Sequence, residues 1–326
     1  MKNEAGPGRT LALGPGAEFD RIREIIQTLG PHASGLGDDC ALFPAGDTFF
    51  ALSTDVSVEG IHFRLDWISL EEAGWRAAAA ALSDLAAEGA RPLGLLSAVT
   101  MPDSAAQGDL LQLMNGVGAA AASVGATVSG GDLSSGGAWS IAVTVIGETS
   151  RPVTRAGASP GDALWVTGAL GGSRAGLEAW RRGAEPAPEA RRRYAHPEPR
   201  VGAGQWLARH GARAMLDLSD GLGGDAAHLA AASAVTVEID LGLLPVALEV
   251  KPEADRLGQS SQRFAAEAGE DFELLAALPP EFDGAGEFAR ACGIPLTRIG
   301  TIRAGKGVRC VLEGKAVEIR GYDHFG

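Results

Sequence analysis

Seven aspartates sit in short polar motifs set into otherwise apolar stretches: Asp38 and Asp39 in GLGDDCALF, Asp55 in ALSTDVSVEG, Asp84 in AAALSDLAAEG, Asp132 in SGGDLSSGG, and Asp217 and Asp220 in MLDLSDGLGGD. Carboxylates whose neighbours favour burial are costly unless a cation meets them. No run of Lys or Arg lies beside these motifs. Divalent metal answers that need, and hard oxygen ligands beside glycine-rich turns point to phosphate chemistry with Mg2+.

Each motif also has a plainer reading. The STDVSVEG segment offers hydroxyls and a carboxylate at consecutive positions, yet a hairpin turn uses the same residues to satisfy its own backbone. Asp217, Ser219 and Asp220 converge on a helix N-terminus, where phosphate is welcome, but Ser219 or Asp220 also suits a helix cap. The glycines of SGGDLSSGG allow close approach to a phosphate, though such runs are common in plain loops. Asp84 lies inside a helix among alanines, so a liganded or paired carboxylate is favoured there over a solvent-facing residue or an ion pair with Arg76 or Arg91. His62, among apolar neighbours, reads by itself as a core histidine.

The elements that must position these residues alternate between helix and strand. Helical periodicity marks Glu18 to Leu29, with Phe19, Ile22, Ile25, Ile26 and Leu29 on one face, and further helices at 71–88, 105–124, 171–180 and 223–232. Strands are expected at 48–53 and 58–63, with Asp55 in the turn between them, and at 93–100, 126–129, 140–147, 163–167, 214–217, 235–240 and 308–312. The GGDLSSGG stretch reads as a loop, 181–200 as a helix end and exposed connection, and the N-terminal residues as a loose tail. The class is α/β or α+β, with a boundary near the turn-rich run 155–161. Two units follow, 1–152 and 153–326.

Composition narrows the function. A formal net charge of -13 argues against nucleic acid or an anionic membrane as the main partner. Three cysteines without a CxxC pair fit reduced thiols in a cytoplasm. No segment reads as a signal peptide or a membrane span. The stretch GTIRAGKG imitates a phosphate-binding P-loop but has Gly307 in place of Ser or Thr and is followed by a β-like run. GVGAAA imitates a dinucleotide fingerprint but lies within a helical run.

Taken together and in order, GDDCA, STDVSVEGIHF, LSDLAAEGARP, GGD, TRAGASPGD, LDLSDGL, GEDFEL and GYDHF resemble the thiamine-monophosphate kinase family. That family is a branch of the aminoimidazole ribonucleotide synthetase and selenophosphate synthetase superfamily. The matching pieces span residues 37 to 325. The resemblance implies an N-terminal half-barrel dimerisation domain, completed by a second subunit, and a C-terminal α/β domain, in a homodimer. It implies metal ligation by Asp39, Ser53, Thr54, Asp55, Asp84, Asp132, Asp217 and Asp220. It also implies ATP contacts at Gly131, Asp132, Arg155 and Ser219, and substrate contacts at His62 and Glu270. Two positions depart from the family pattern: Ala268 replaces a glycine, and Ile319 stands where an aromatic residue often stacks on the substrate.

The activity so implied is transfer of a phosphoryl group from ATP to thiamine monophosphate, the last step towards thiamine diphosphate. Several Mg2+ ions would neutralise the phosphates. Asp55, Asp84, Asp132 and Asp220 are expected at the ATP phosphates, Asp39 and Asp217 nearer the acceptor, and Arg155 on phosphate. Asp38 is expected to be a turn or supporting residue. The alternatives are another ATP-dependent synthetase of the superfamily, or a non-catalytic protein binding metal or nucleotide.

Overall fold

The computed structural model describes residues 10–323 and 325; His324 of the GYDHF motif and much of the expected N-terminal tail lie outside them. Its first half runs α1 (Ala17–Leu29), β1 (Ala41–Ala45), β2 (Thr48–Val58), α2 (Leu70–Ala87), β3 (Arg91–Pro102), α3 (Asp109–Ser123), β4 (Thr127–Gly136) and β5 (Ser140–Thr149). The strands form one sheet in the order β1-β2-β5-β3-β4, antiparallel except for β3 beside β4. Its inner face, with Ile141, Val143 and Val145 of central β5 fully buried, packs on α2 and α3. Its outer face leaves Val56 and Leu96 exposed.

The second half continues with β6 (Ala163–Thr167), α4 (Gly172–Arg181), α5 (Pro188–Ala195), α6 (Val201–Arg209), β7 (Ala214–Asp217), α7 (Leu222–Ser233) and β8 (Thr236–Asp240). It closes with α8 (Val250–Arg256), α9 (Ser261–Ala266), β9 (Leu274–Leu278), α10 (Ala285–Cys292), β10 (Leu296–Arg303), β11 (Gly307–Leu312) and β12 (Lys315–Val317). Its sheet has the order β12-β11-β8-β10-β6-β9-β7. The mixed α/β class is as the sequence suggests.

Helix α2 is the element around which the halves pack. A capping box starts it: Ser69 Oγ accepts from Glu72 N, and the Glu72 carboxylate accepts from Ser69 N. Two glycines let α3 cross it closely. A Cβ on Gly116 would fall 1.8 Å from the Glu71 carbonyl, and one on Gly74 2.0 Å from that of Leu113. This close crossing, and no nucleotide, accounts for GVGAAA. The far end of α2, Ala86 and Ala87, shares a core with Trp206, Met215 and Leu274 of the second half.

Four expectations are corrected. The strand expected at 48–53 runs on through Asp55 to Val58 as one strand, β2, and residues 59–63, expected as a second strand, form a turn instead. The GGDLSSGG run is not a loop but most of edge strand β4, paired along its length with β3. Residues 181–200 hold α5, whose Ala190, Tyr194 and Ala195 are buried. Helix α1 forms as expected, but none of its residues is buried, and Ile25 and Leu29 of its apolar face are exposed.

Candidate active site and metal centre

Strand alternation decides which hydroxyls and carboxylates of β2 can act together. Ser53, Asp55 and Ser57 share the inner face, turned to α2. Ser53 Oγ donates to Asp84 Oδ2 at 2.5 Å. Thr54 falls on the outer face, where its Oγ1 meets Thr144 Oγ1 at 2.9 Å. One oxygen each of Asp39, Asp84 and Asp217 lies within 4.8 Å of the others. Three elements thus converge: the turn before β1, the last turn of α2 and the end of β7.

Electrostatics at this cluster runs against ionisation. Burial, then neighbouring Asp217, Asp39 and Asp55, push the Asp84 carboxyl well above its ordinary value. Burial and Asp39 raise Asp217 to about 7, against the opposing pull of Arg155 and a Ser83 hydrogen bond. Burial also raises Asp55. Arg155 grips Asp39 through two bonds, Nη2 to Oδ1 at 2.6 Å and Nε to Oδ2 at 3.2 Å. Close carboxylates held by packing and short of countercharge are a cation site in chemical character.

The cluster opens on a cavity of about 1380 Å³ whose wall includes Asp55, Asp84, Asp217, Ser219 and Asp220, and also His62 and Glu270. The 218–220 turn is stitched in place by its neighbours: Ser219 O accepts from Glu270 N at 2.7 Å, and Asp220 O from Tyr322 N at 2.8 Å. Neither Ser219 nor Asp220 caps α7, which starts from Gly221 without a side-chain cap. Glu270 has a left-handed backbone, φ 61°, that aims its carboxylate at the buried Arg76 guanidinium in a salt bridge. His62 is no core residue; it lines the cavity, with Nδ1 accepting from Val58 N at 3.0 Å.

Some expected residues are elsewhere. In strand register Gly131 pairs with Ser97 and Asp132 with Ala98. Asp132 is exposed on the outer face of the sheet edge, three strands from Asp55 and on the opposite side. Gly131 is needed for strand contact, since a Cβ there would fall 1.9 Å from the Ser97 carbonyl. Ile319 packs into the core of the second half, while its neighbours Arg320 and Tyr322 reach the cavity. Within this chain the Asp84 carboxylate groups with Asp39 and Asp217, the pair expected nearer the acceptor, and not with Asp132. Arg155 is engaged by Asp39.

Two features escaped sequence reasoning. Arg76 lines the cavity, donates to Tyr194 O at 2.5 Å and lies over the Tyr194 ring. Glu88 is buried beside Asp38 and Asp39. Both stand at four-residue spacing with Ala80 and Asp84 along one face of α2, the signal that would have revealed them. The bland readings of Asp84 fail, since Arg76 pairs with Glu270 and Arg91 with Glu148.

Comparison with known proteins fits this geometry. Residues 37–149 match the N-terminal domain, and residues 159–313 the C-terminal domain, of AIR synthase related protein. A thiamine-monophosphate kinase of Mycobacterium tuberculosis is 37% identical over 81% of this chain and 80% of its own length. That of Aquifex aeolicus is 35% identical over 94% of this chain and 98% of its own. A solved structure of AaThiL complexed with AMPPCP and TMP superposes with a TM-score of 0.85 at 34% identity, covering 95% of this chain and 97% of that one.

Proposed function

The chain belongs to the thiamine-monophosphate kinase family, and we propose that it transfers the γ-phosphoryl group of ATP to the phosphate of thiamine monophosphate. The observation that carries this reading is one cavity whose wall combines the Asp84 and Asp217 carboxylates with His62 and Glu270. Such a site serves a reaction in which two phosphate groups must be brought together against their repulsion. The acceptor is a phosphate monoester, largely dianionic at neutral pH because its second pKa is near 6. An ionised oxygen needs no general base, which agrees with a carboxylate-lined site.

The donor set is hard oxygen throughout, and close carboxylates outnumber the cations that contact them, so Asp39, Asp84 and Asp217, with Asp55 and Asp220 alongside, fit Mg2+. Bound there, the metal would neutralise phosphate charge and help align donor and acceptor. The chain's own residues do the positioning. Ser53 orients the Asp84 carboxylate, and Arg155 holds Asp39. Arg76 fixes Glu270 at the acceptor side, and the Val58 amide fixes the His62 ring.

The enzyme is proposed to be a homodimer of two-unit chains, 1–152 and 153–326, paired through the exposed outer face of the first sheet. The uncovered Val56 and Leu96 support this reading; Asp132, on the same face, would then act within the assembled pair. Among the described residues no helix is long and apolar enough to cross a membrane. Its three cysteines are free thiols, which suits a reducing compartment, and a cytoplasmic location is proposed. The direct assay incubates the protein with Mg-ATP and either thiamine monophosphate or thiamine. Thiamine diphosphate from the monophosphate is expected; phosphorylation of thiamine alone would overturn the assignment.

A further inference from the structure

One acidic side chain beside the site does not line the cavity. Glu88, at the C-terminal end of α2, is fully buried. Neither of its carboxylate oxygens makes a hydrogen bond of ordinary geometry, although the Cys40 backbone amide supplies a favourable dipole. A buried carboxylate with so little support needs a counter-charge. What it faces instead is two more carboxylates, for one oxygen each of Asp38, Asp39 and Glu88 lies within 4.8 Å of the others. Hard divalent ions bind oxygen at roughly 2.0–2.6 Å, so ligands at this spacing can share one ion.

The available cation does not reach all three. Arg155 makes its side-chain bonds to Asp39 and gives only its backbone N–H to Asp38 Oδ1, at 2.9 Å. The Asp39 N–H donates to the same Oδ1 at 3.2 Å, so both backbone bonds fall on one oxygen of Asp38. Three carboxylates set against one guanidinium leave the charge of a divalent cation. We propose that Asp38, Asp39 and Glu88 form a second, buried divalent-cation site. Through the shared Asp39 it adjoins the Asp39, Asp84 and Asp217 cluster, and it ties the end of α2 to the turn before β1. The site is structural and independent of the kinase reading.

The test uses Mn2+ alone as the probe, on the full chain without nucleotide. Bound ions are counted by electron paramagnetic resonance in the wild type, Glu88→Gln and Asp84→Asn. Glu88→Gln is expected to bind one ion fewer than the wild type and to lose part of the Mn2+-induced rise in melting temperature. Wild-type crystals grown with MnCl2 are expected to show an anomalous peak among Asp38, Asp39 and Glu88, and this result stands even if Glu88→Gln fails to fold. No peak there, or an unchanged ion count in folded Glu88→Gln, overturns the site. So does a carboxylic-acid infrared band that belongs to Glu88 and persists under saturating Mn2+, because a proton then does the neutralising. A peak at Glu88 in a protein that makes no thiamine diphosphate would sink the kinase reading and keep this one.

Discussion

At the residue scale, Asp84 is the side chain on which the account chiefly depends. It is one carboxylate of the triad with Asp39 and Asp217, receives the Ser53 hydroxyl, and lines the cavity. Asp84→Asn keeps the size and removes the charge. Turnover is expected to fall at least about a hundredfold, the loss typical of removing a preorganised electrostatic group. The melting temperature of the metal-free protein is expected to hold or rise, because repulsion from Asp217 and Asp39 is relieved. Steady-state kinetics and calorimetry on one preparation check both. His62→Ala is expected to raise the KM for thiamine monophosphate by about tenfold, near the worth of one hydrogen bond, with the KM for ATP unchanged. An equal rise in both would remove His62 from the acceptor side. Placement was legible where it followed motif order: Asp39, Asp84 and Asp217, which the fold brings together, and Asp55 and Asp220 on the cavity wall were all singled out. The side-chain direction of Thr54 was not, because it depends on β2 being one strand. Ile319 could be named, but its turn into the core depends on contacts with the second half.

At the element scale, α2 is the ruler of the site. Arg76, Ala80, Asp84 and Glu88 stand along one face over about 18 Å, at 1.5 Å per residue. Its position depends on the glycine crossing with α3. Gly116→Ala would drive a methyl into the Glu71 carbonyl and is expected to destabilise the fold by about 1–3 kcal/mol, as overpacking does, measurable by urea unfolding. A second device anchors the segment before α1. His228 is buried, accepts Gly14 N on Nδ1 at 3.1 Å and lies against Phe19. Burial, then Arg155 and Arg23, lower its pKa from 6.5 to about 3. The unfolded chain therefore takes up this proton first as pH falls, so the stability it contributes is present above 6.5 and lost towards 3. Melting temperatures across that window should fall less steeply in His228→Phe than in the wild type; equal slopes would contradict this. Helices α1, α2, α3, α4 and α7 were legible from the sequence, whereas the shorter α5, α6, α8, α9 and α10 were not. Nor was the continuation of β2 beyond Ser53 and of β4 beyond Ser129, because STDVSVEG and GGDLSSGG carry turn-type residues, and only pairing with β5 and β3 makes them strands. The arginines of α5 concealed a helix that spends them on ion pairs such as Arg191 with Glu72.

At the scale of the whole molecule, the outer face of the first sheet is the open question that the proposed homodimer answers. Leu96→Asp places a charge on that face, away from the cavity. It is expected to convert a dimer to monomers in analytical ultracentrifugation, and a wild type already monomeric at micromolar concentration would contradict the pairing. The two-part organisation was readable from the turn-rich run near 155–161, which lies between β5 and β6. The packing of α2 against the second half was not, for alanine-rich helices carry little sign of what they pack against. The proposed reaction passes a phosphoryl group from ATP to thiamine monophosphate at a site where carboxylates would hold Mg2+ to neutralise the phosphates. Its most direct test follows γ-labelled ATP in the presence of thiamine monophosphate, with and without Mg2+. Label is expected in the terminal phosphate of thiamine diphosphate with Mg2+ and none when the metal is chelated. Label released only as inorganic phosphate, or transfer that persists without divalent metal, would contradict it.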